Sequence, residues 1–365
     1  MNMRSRIQTR LKRVREWALN EKVDALFLTP GDNFFYLTGF QTEPMERLTA
    51  LIITEKSEIV ICPKMLEDQV TNATSIKEII LWDDGQNPFS LVNNVIKNAG
   101  IETMAIEESS SIAMVEKLKK GGIASFKIID DLMASMRAQK STEELDIISE
   151  AIKRSEKAYE YTLKELAEGI TEIEISGILE LNFKRQYLED IAFRTIIAFG
   201  ENAAVPHHEP TQRKLRKGDL ILMDFGGKYH GYSSDTTRTV AYDSISNKFR
   251  EIYEVVRKSQ FETIMSINNN TKFSEMDSMA RSMISQFGYG KNFIHRVGHG
   301  LGIATHEEPY LVPKNHKIVK VGTVFTIEPG IYLRGVGGVR IEDTLMFDGE
   351  KAIPFNSIEK ELIVL

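Results

Sequence analysis

The sequence predicts two domains: a small α/β domain over residues 1–134, then an α+β domain over residues 135–365 that is built twice over. Three observations predict this. The 365 residues exceed what one hydrophobic core organises. Before residue 135, short apolar strands alternate with helical stretches. After it, a helix, helix, hairpin order recurs about 105 residues on, which implies two similar halves related by an internal pseudo-two-fold repeat.

The elements follow in chain order. The opening, MNMRSRIQTRLKRVREW, has six basic residues before its first acid, a composition shared with organellar transit peptides. Ile7, Leu11, Val14 and Ala18 are nevertheless spaced along one helix face, so a first helix with a solvated basic side is expected. Strands are expected at 25–28, 49–54, 58–62 and 77–82, and helices at 65–70 and 88–98. Ser141 or Thr142 caps a long amphipathic helix that should end near Gly169. Further helices are expected at 172–186, 247–267 and 274–287.

Composition narrows the function. A net charge of −6 gives no general attraction for nucleic acid or anionic membrane. The basic run RKLRK at 213–217 ends just before a strand and reads as a solvated connecting loop. No apolar run approaches the ~20 residues of a membrane span, and no secretory signal is apparent. Cys62 is the only cysteine, sits in the strand-like EIVICPK and excludes an internal disulfide, which suits a reducing cytoplasm. There is no Walker pattern, zinc cysteine pair or dinucleotide glycine fingerprint, and GVGGV at 335–339 reads as a turn.

Two hairpins carry the chemistry. In DLILMDFGGKYHGYSSDTTRTV, strands over 219–226 and 232–240 flank a turn at 227–231, and Asp224 and Asp235 are equidistant from a point beside Tyr229. In TVFTIEPGIYLRGVGGVRIEDTLMF, Glu328 and Glu342 are equidistant from Gly335. Opposed residues share a face with Cβ atoms about 5 Å apart, where like charges repel. Two such acid pairs in apolar strands call for a compensating cation. His295, His299 and His306, among glycines in FIHRVGHGLGIATHEEPY, are candidates to complete the site, and His295 and His299 would share a face in extended chain. Four carboxylates and one neutral imidazole balance two divalent cations, and oxygen-rich ligation favours Mn, Fe, Co or Zn. Two such ions about 3.5–4 Å apart activate water and polarise a carbonyl.

The strings MDFGGKYHGYSSDTTRT, HRVGHGLGIATHEEP, TIEPGIY and GGVRIEDT, in this order, resemble the blocks of the prolidase, aminopeptidase P, methionine aminopeptidase and creatinase group, whose catalytic domain is the pita-bread fold. The resemblance implies that Asp224, Asp235, His299, Glu328 and Glu342 are ligands for two divalent ions, manganese first, with cobalt, zinc or iron as alternatives. It makes His207 a substrate-contacting histidine, His306 the one that steadies the tetrahedral intermediate, His295 a pocket histidine near the scissile bond, and Arg340 the arginine that orients a metal-bound carboxylate. Glu328 is the expected base, and Tyr332 a further substrate-binding candidate. His208 reads as structural, and His230 and His316 as exposed. VDALFLTPGDNFFYLTGF resembles the opening of the prolidase and creatinase amino-terminal domain, which turns the expectation toward Xaa-Pro cleavage.

The implied activity is hydrolysis of the Xaa-Pro bond of short peptides, prolidase type, by a homodimer. Aminopeptidase P action on longer peptides is the alternative, followed by hydrolysis of a small non-peptide amide and, last, a non-catalytic peptide-binding module.

Overall fold

The computed structural model describes residues 3–365, which divide into two compact units, Met1–Met136 and Arg137–Leu365. The first two residues of the basic opening lie outside the described residues.

The first unit is a six-stranded mixed sheet with helices around it. Its strands are β1 (Ala25–Leu28), β2 (Ala50–Thr54), β3 (Glu58–Pro63), β4 (Glu78–Trp82), β5 (Thr103–Ile106) and β6 (Ser125–Ile128), in the order β4-β3-β2-β1-β5-β6. The β1, β2, β3 run is antiparallel, and β4, β5 and β6 join in parallel, each after a helix. The helices are α1 (Met3–Glu21), α2 (Asp32–Thr38), α3 (Glu67–Ala73), α4 (Pro88–Ala99), α5 (Ile112–Gly121) and α6 (Asp130–Ala138). Ile7, Leu11, Val14 and Ala18 are buried, as one apolar face of α1 requires. The opposite side of α1 is less solvated than expected. Arg10 stacks on Tyr36 at 3.7 Å and donates to its carbonyl, and Arg15 donates to Glu58 at 2.5 Å and to the Thr54 carbonyl. Long arginine stems here cover apolar surface while their heads find acceptors.

The second unit holds the repeat. In its first half, α7 (Thr142–Leu163) and α8 (Glu172–Arg185) precede β7 (Asp190–Ile191), β8 (Ile196–Phe199), β9 (Leu220–Phe225), β10 (Gly227–Tyr229), β11 (Tyr232–Ser233) and β12 (Thr236–Ala241). In its second half, α9 (Asn247–Met265) and α10 (Phe273–Gln286) precede β13 (Gly298–Gly300), β14 (Glu307–Leu311), β15 (Val324–Ile327), β16 (Gly330–Leu333), β17 (Gly337–Arg340), β18 (Asp343–Phe347) and β19 (Ala352–Pro354). Ser141 with Glu144, and Thr171 with Glu174, form capping boxes that start α7 and α8. The first helix stops at Leu163, short of the expected Gly169. Residues 164–169 leave it because Glu168 N–H is taken by the Tyr242 hydroxyl and Gly169 N–H by the Leu215 carbonyl.

Each half buries its own core between its helix pair and the outer face of its strands. Ile221, Met223, Phe225 and Val240 pack with Tyr159, Ile175, Leu179 and Phe183 in the first half. Phe325, Ile327, Leu345 and Phe347 pack with Ile252, Val256, Met276 and Ala280 in the second. Strand alternation therefore turns Asp224, Thr237, Thr326 and Thr344 to the inner faces, where hydrogen bonds join the halves. Thr237 donates to Glu342 at 2.7 Å and Thr344 to the Asp235 carbonyl at 2.8 Å, while from the opposite strand faces Arg238 pairs with Asp343 at 2.7 Å.

RKLRK is a loop, as expected, but Arg213 within it is clamped by Asp219 and Glu201 rather than solvated. Among the described residues no helix is long and apolar enough to cross a membrane.

Candidate metal centre and active site

The first hairpin departs from its expected register. Asp224 lies opposite Thr237 rather than Asp235, and Lys228 opposite Ser233, so 227–229 is strand and the turn is His230–Gly231 alone. Both turn residues have positive φ, 47° and 78°, the geometry of a two-residue type I′ turn. Asp235 is thus a diagonal neighbour of Asp224 on the same face, two residues along from direct opposition. In the second hairpin Ile327 pairs with Asp343 and Gly330 with Arg340, which sets Glu328 and Glu342 opposite each other as their spacing implies.

His299 enters on β13, whereas His295 precedes that strand in a bend, so the two do not share one strand face as expected. The backbone at 298 lies against β15, where a Cβ would meet the Thr326 carbonyl oxygen at 1.9 Å. Only glycine fits there, and this lets the His299 backbone reach the inner layer.

These five residues converge. Atoms able to bind a cation lie within 4.8 Å of one another in three overlapping sets: Asp224, Asp235 and Glu342; His299, Glu328 and Glu342; and Asp235, His299 and His306. His299 donates Nδ1–H to the Gly300 carbonyl at 3.1 Å, which turns Nε2 toward Glu328 at 3.3 Å and Asp235 at 3.6 Å. Asp224 Oδ1 and Glu342 Oε1 are buried with no partner. Burial, then the charges of Glu342, Asp224 and Glu328, push Asp235 well above its ordinary value. Burial and the charges of Glu328 and Asp224 do the same to Glu342. Glu328 is held down to about 2, because the hydrogen bond and charge of His299 outweigh its burial. The oxygen-rich donor set, the two orphaned oxygens and the mutual repulsion all fit divalent cations.

A second layer fixes these side chains. Arg340 donates Nη2 to Asp224 at 2.6 Å, Nε to Thr237 at 3.1 Å and Nη1 to the Tyr332 hydroxyl at 2.8 Å. Tyr332 in turn donates to His295 Nε2 at 2.9 Å, while His295 Nδ1–H goes to the Arg296 carbonyl at 2.7 Å. Tyr332 therefore stands behind the cavity wall, 4% exposed with its hydroxyl engaged, and does not line the cavity where a substrate-binding residue was expected. Burial lowers the His295 pKa, consistent with a neutral ring.

A cavity of about 570 Å³ opens over the cluster, lined by Glu328, Glu342, Asp224 and Asp235 together with His207, His295 and His306. The His306 ring lies 4.1 Å from that of His299, and although the residue is partly open to solvent its pKa falls to about 4 through desolvation of the ring and the neighbouring His299 and Arg296. His208 also reaches the cavity, but its Nε2 is tied to Glu172. His230 and His316 are exposed. Thr237 and the lining residues Phe193, Arg194 and Arg296 escaped sequence reasoning. Thr237 alone carried a signal, its place two residues after Asp235 on the same strand face.

Comparison with known proteins agrees with this fold. Residues 146–348 match the model of metallopeptidase family M24, and residues 10–139 that of the creatinase/prolidase N-terminal domain. A putative dipeptidase of Bacillus subtilis (strain 168) is 37% identical over 98% of this chain and 99% of its own length. The crystal structure of a prolidase from Thermococcus sibiricus superposes with a TM-score of 0.92 at 35% identity, covering the whole of both chains. A Xaa-Pro dipeptidase from Bacillus anthracis gives 0.93 at 29% identity over 98% of this chain and all of its own. With its duplicated pita-bread unit and its buried carboxylate and histidine cluster, the chain belongs to metallopeptidase family M24, in the branch that carries a creatinase/prolidase amino-terminal domain.

Proposed function

We propose that this metallo-exopeptidase is a Xaa-Pro dipeptidase that uses two divalent ions held by Asp224, Asp235, His299, Glu328 and Glu342. The observation that carries it is the buried cluster with two unpartnered carboxylate oxygens, lining one cavity together with His207, His295 and His306. Manganese is the first choice of metal, with cobalt, zinc and iron as alternatives on the same oxygen-rich donors. Two divalent ions in such a site act as Lewis acids and make water nucleophilic at neutral pH.

The chain's own groups supply the rest. Glu328, ionised at neutral pH and lining the cavity, accepts the proton from the attacking water. That proton passes to the proline nitrogen as the carbon–nitrogen bond breaks, releasing a free carboxylate and a secondary amine. His306, neutral above about pH 4, donates an N–H to the oxygen that becomes negative in the transition state. His207, exposed on its loop, contacts the substrate end. His295, whose two nitrogens are already bonded, contributes its ring as wall. The relatives named as dipeptidase and prolidase favour a two-residue substrate over longer chains. A cytoplasmic homodimer is the expected working form.

The test is hydrolysis by manganese-loaded protein of Ala-Pro, Ala-Pro-Ala and Ala-Ala-Ala. Cleavage of Ala-Pro alone is expected. Cleavage of Ala-Pro-Ala would make the enzyme an aminopeptidase P, and no cleavage would point to a non-peptide amide.

A further inference from the structure

Glu172, the first residue of α8, is fully buried, yet its carboxylate accepts five hydrogen bonds from four residues of one loop. Oε1 accepts from Phe199 N at 2.8 Å and Asn202 Nδ2 at 2.9 Å. Oε2 accepts from His208 Nε2 at 2.9 Å, Thr211 N at 2.9 Å and Thr211 Oγ1 at 2.6 Å. The backbone of α8 binds the same loop, with Glu172 N–H on the Arg213 carbonyl and Ile173 N–H on the Thr211 carbonyl. Residues 199–211 therefore form a strap tied at both ends to one carboxylate, and His207 rides on it.

The other side of the strap meets the metal centre's own scaffold. The Pro206 carbonyl accepts from Arg340 Nη1 at 3.3 Å, and the Ala203 carbonyl lies so close to Gly338 that a Cβ there would approach within 2.1 Å. With its ring tied to Glu172, His208 leaves its neighbour His207 exposed at the cavity. The second half repeats the device. Asp277 of α10, also fully buried, accepts from Val297 N at 3.2 Å and pairs with Arg281, which donates to the Phe293 and His295 carbonyls. In both halves, a buried acid on the second helix holds the backbone segment that carries a cavity histidine.

We propose that Glu172, latched through His208, is a positioning residue that sets His207 for substrate and so governs substrate affinity rather than the chemical step. This rests on the reading of His207 as a substrate-contacting residue. A carboxylate offers about four lone-pair sites, so five donors saturate it; an amide in its place keeps one acceptor and turns its own N–H groups against the strap's donors. Loss of the latch should loosen the strap while the metal ligands, on other elements, stay in place.

The experiment compares His207→Ala, His208→Ala, His208→Gln and Glu172→Gln in the full-length manganese-loaded protein. It measures kcat and KM on Ala-Pro, bound metal, and hydrogen exchange of the 199–211 amides. The expected result is a KM raised about tenfold, the scale of one lost charge-assisted hydrogen bond, in His207→Ala, His208→Ala and Glu172→Gln, with kcat and metal content near wild type. Amide exchange over 199–211 should rise in the two latch variants. His208→Gln, which retains an N–H donor, should return KM most of the way.

A rise in KM for His207→Ala without one for His208→Ala or Glu172→Gln overturns the latch and leaves the substrate reading standing. An unchanged KM for His207→Ala removes the reading of His207, and the exchange data then decide separately whether the strap depends on Glu172. Parallel loss of kcat, metal and thermal stability in His208→Ala would show a general structural role and overturn the proposal. If Glu172→Gln fails to fold, the two His208 variants carry the test alone.

Discussion

The two halves of the catalytic unit each bring a helix pair, a hairpin and two acids, but they are equal only as scaffolds. In the first half Asp224 and Asp235 are offset by two residues, and Asp235 faces His299 of the second half. In the second, Glu328 and Glu342 stand opposite each other, and His299 and His306 come from the same half. The electrostatics follow. Asp224, Asp235 and Glu342 are all pushed up, by burial above all, whereas Glu328 alone is pulled down by His299. On the proposed reading, duplication supplies the scaffold that seats two cations, and His299 and His306, both from the second half, make that seat asymmetric. Metal retention should depend on both halves alike, and turnover should depend on the second half more.

The largest effect tests the symmetric part. Asp235→Ala and Glu342→Ala, one from each half, should each abolish bound metal and activity together, measured by elemental analysis and Ala-Pro hydrolysis. Loss from only one of the two would break the equivalence.

The next concerns the seam. Arg238 of the first half and Asp343 of the second form a buried pair, with Lys360 on the other carboxylate oxygen. Asp343→Asn leaves a buried guanidinium uncompensated and should cost about 3–5 kcal/mol in denaturant unfolding of the metal-free protein. Burial opposes ionisation of Asp343, but Arg238 and Lys360 outweigh it and hold its pKa below the ordinary 3.8. Between the two values the unfolded chain binds the extra proton. The pair's contribution is therefore full above about pH 3.8 and lost as pH falls through the folded value, and Asp343→Asn should flatten that acid limb.

His306→Ala tests the asymmetric part. It should keep both metals and lower kcat by about 10²–10³-fold, or roughly 2.7–4 kcal/mol, the range for one oxyanion donor. Metal loss in this variant would recast His306 as a ligand, a role its place beside Asp235 and His299 allows.

The smallest effect sharpens the contact between halves. Thr237→Val removes the donor to Glu342 and the acceptor of Arg340 Nε at once. It should weaken metal affinity about 10–100-fold, read by competition with a chelating dye, with kcat at saturating metal little changed.

Much of this was legible in the residues, for physical reasons that also explain the gaps. Helices α7 and α8 announce themselves because their caps are local, Ser141 with Glu144 and Thr171 with Glu174. The two acid pairs were visible because charge in an apolar strand is costly and rare. The first hairpin's register was misread because glycines at 226, 227 and 231 bracket a longer apparent turn, while the true one places His230, a non-glycine residue, at positive φ. In the first unit β5 and β6 were missed because each is only four residues long, the lower limit at which even the alternation of SFKI registers as a period. The chain from Asp224 through Arg340 and Tyr332 to His295 spans separations of 116, 8 and 37 positions and leaves no local signal. For the same reason the choice of His299 over His295 and His306 came from resemblance, and the structure adds only that its Nε2 faces two of the acids.

The most direct test is a metal titration of the metal-free protein, following Ala-Pro hydrolysis and bound manganese together. If the two halves seat one pair of ions, activity should rise to its plateau only as the second equivalent binds, and Asp235→Ala should stay inactive at any added metal. A plateau at one equivalent, or full activity in metal-depleted Asp235→Ala, would contradict the two-metal site.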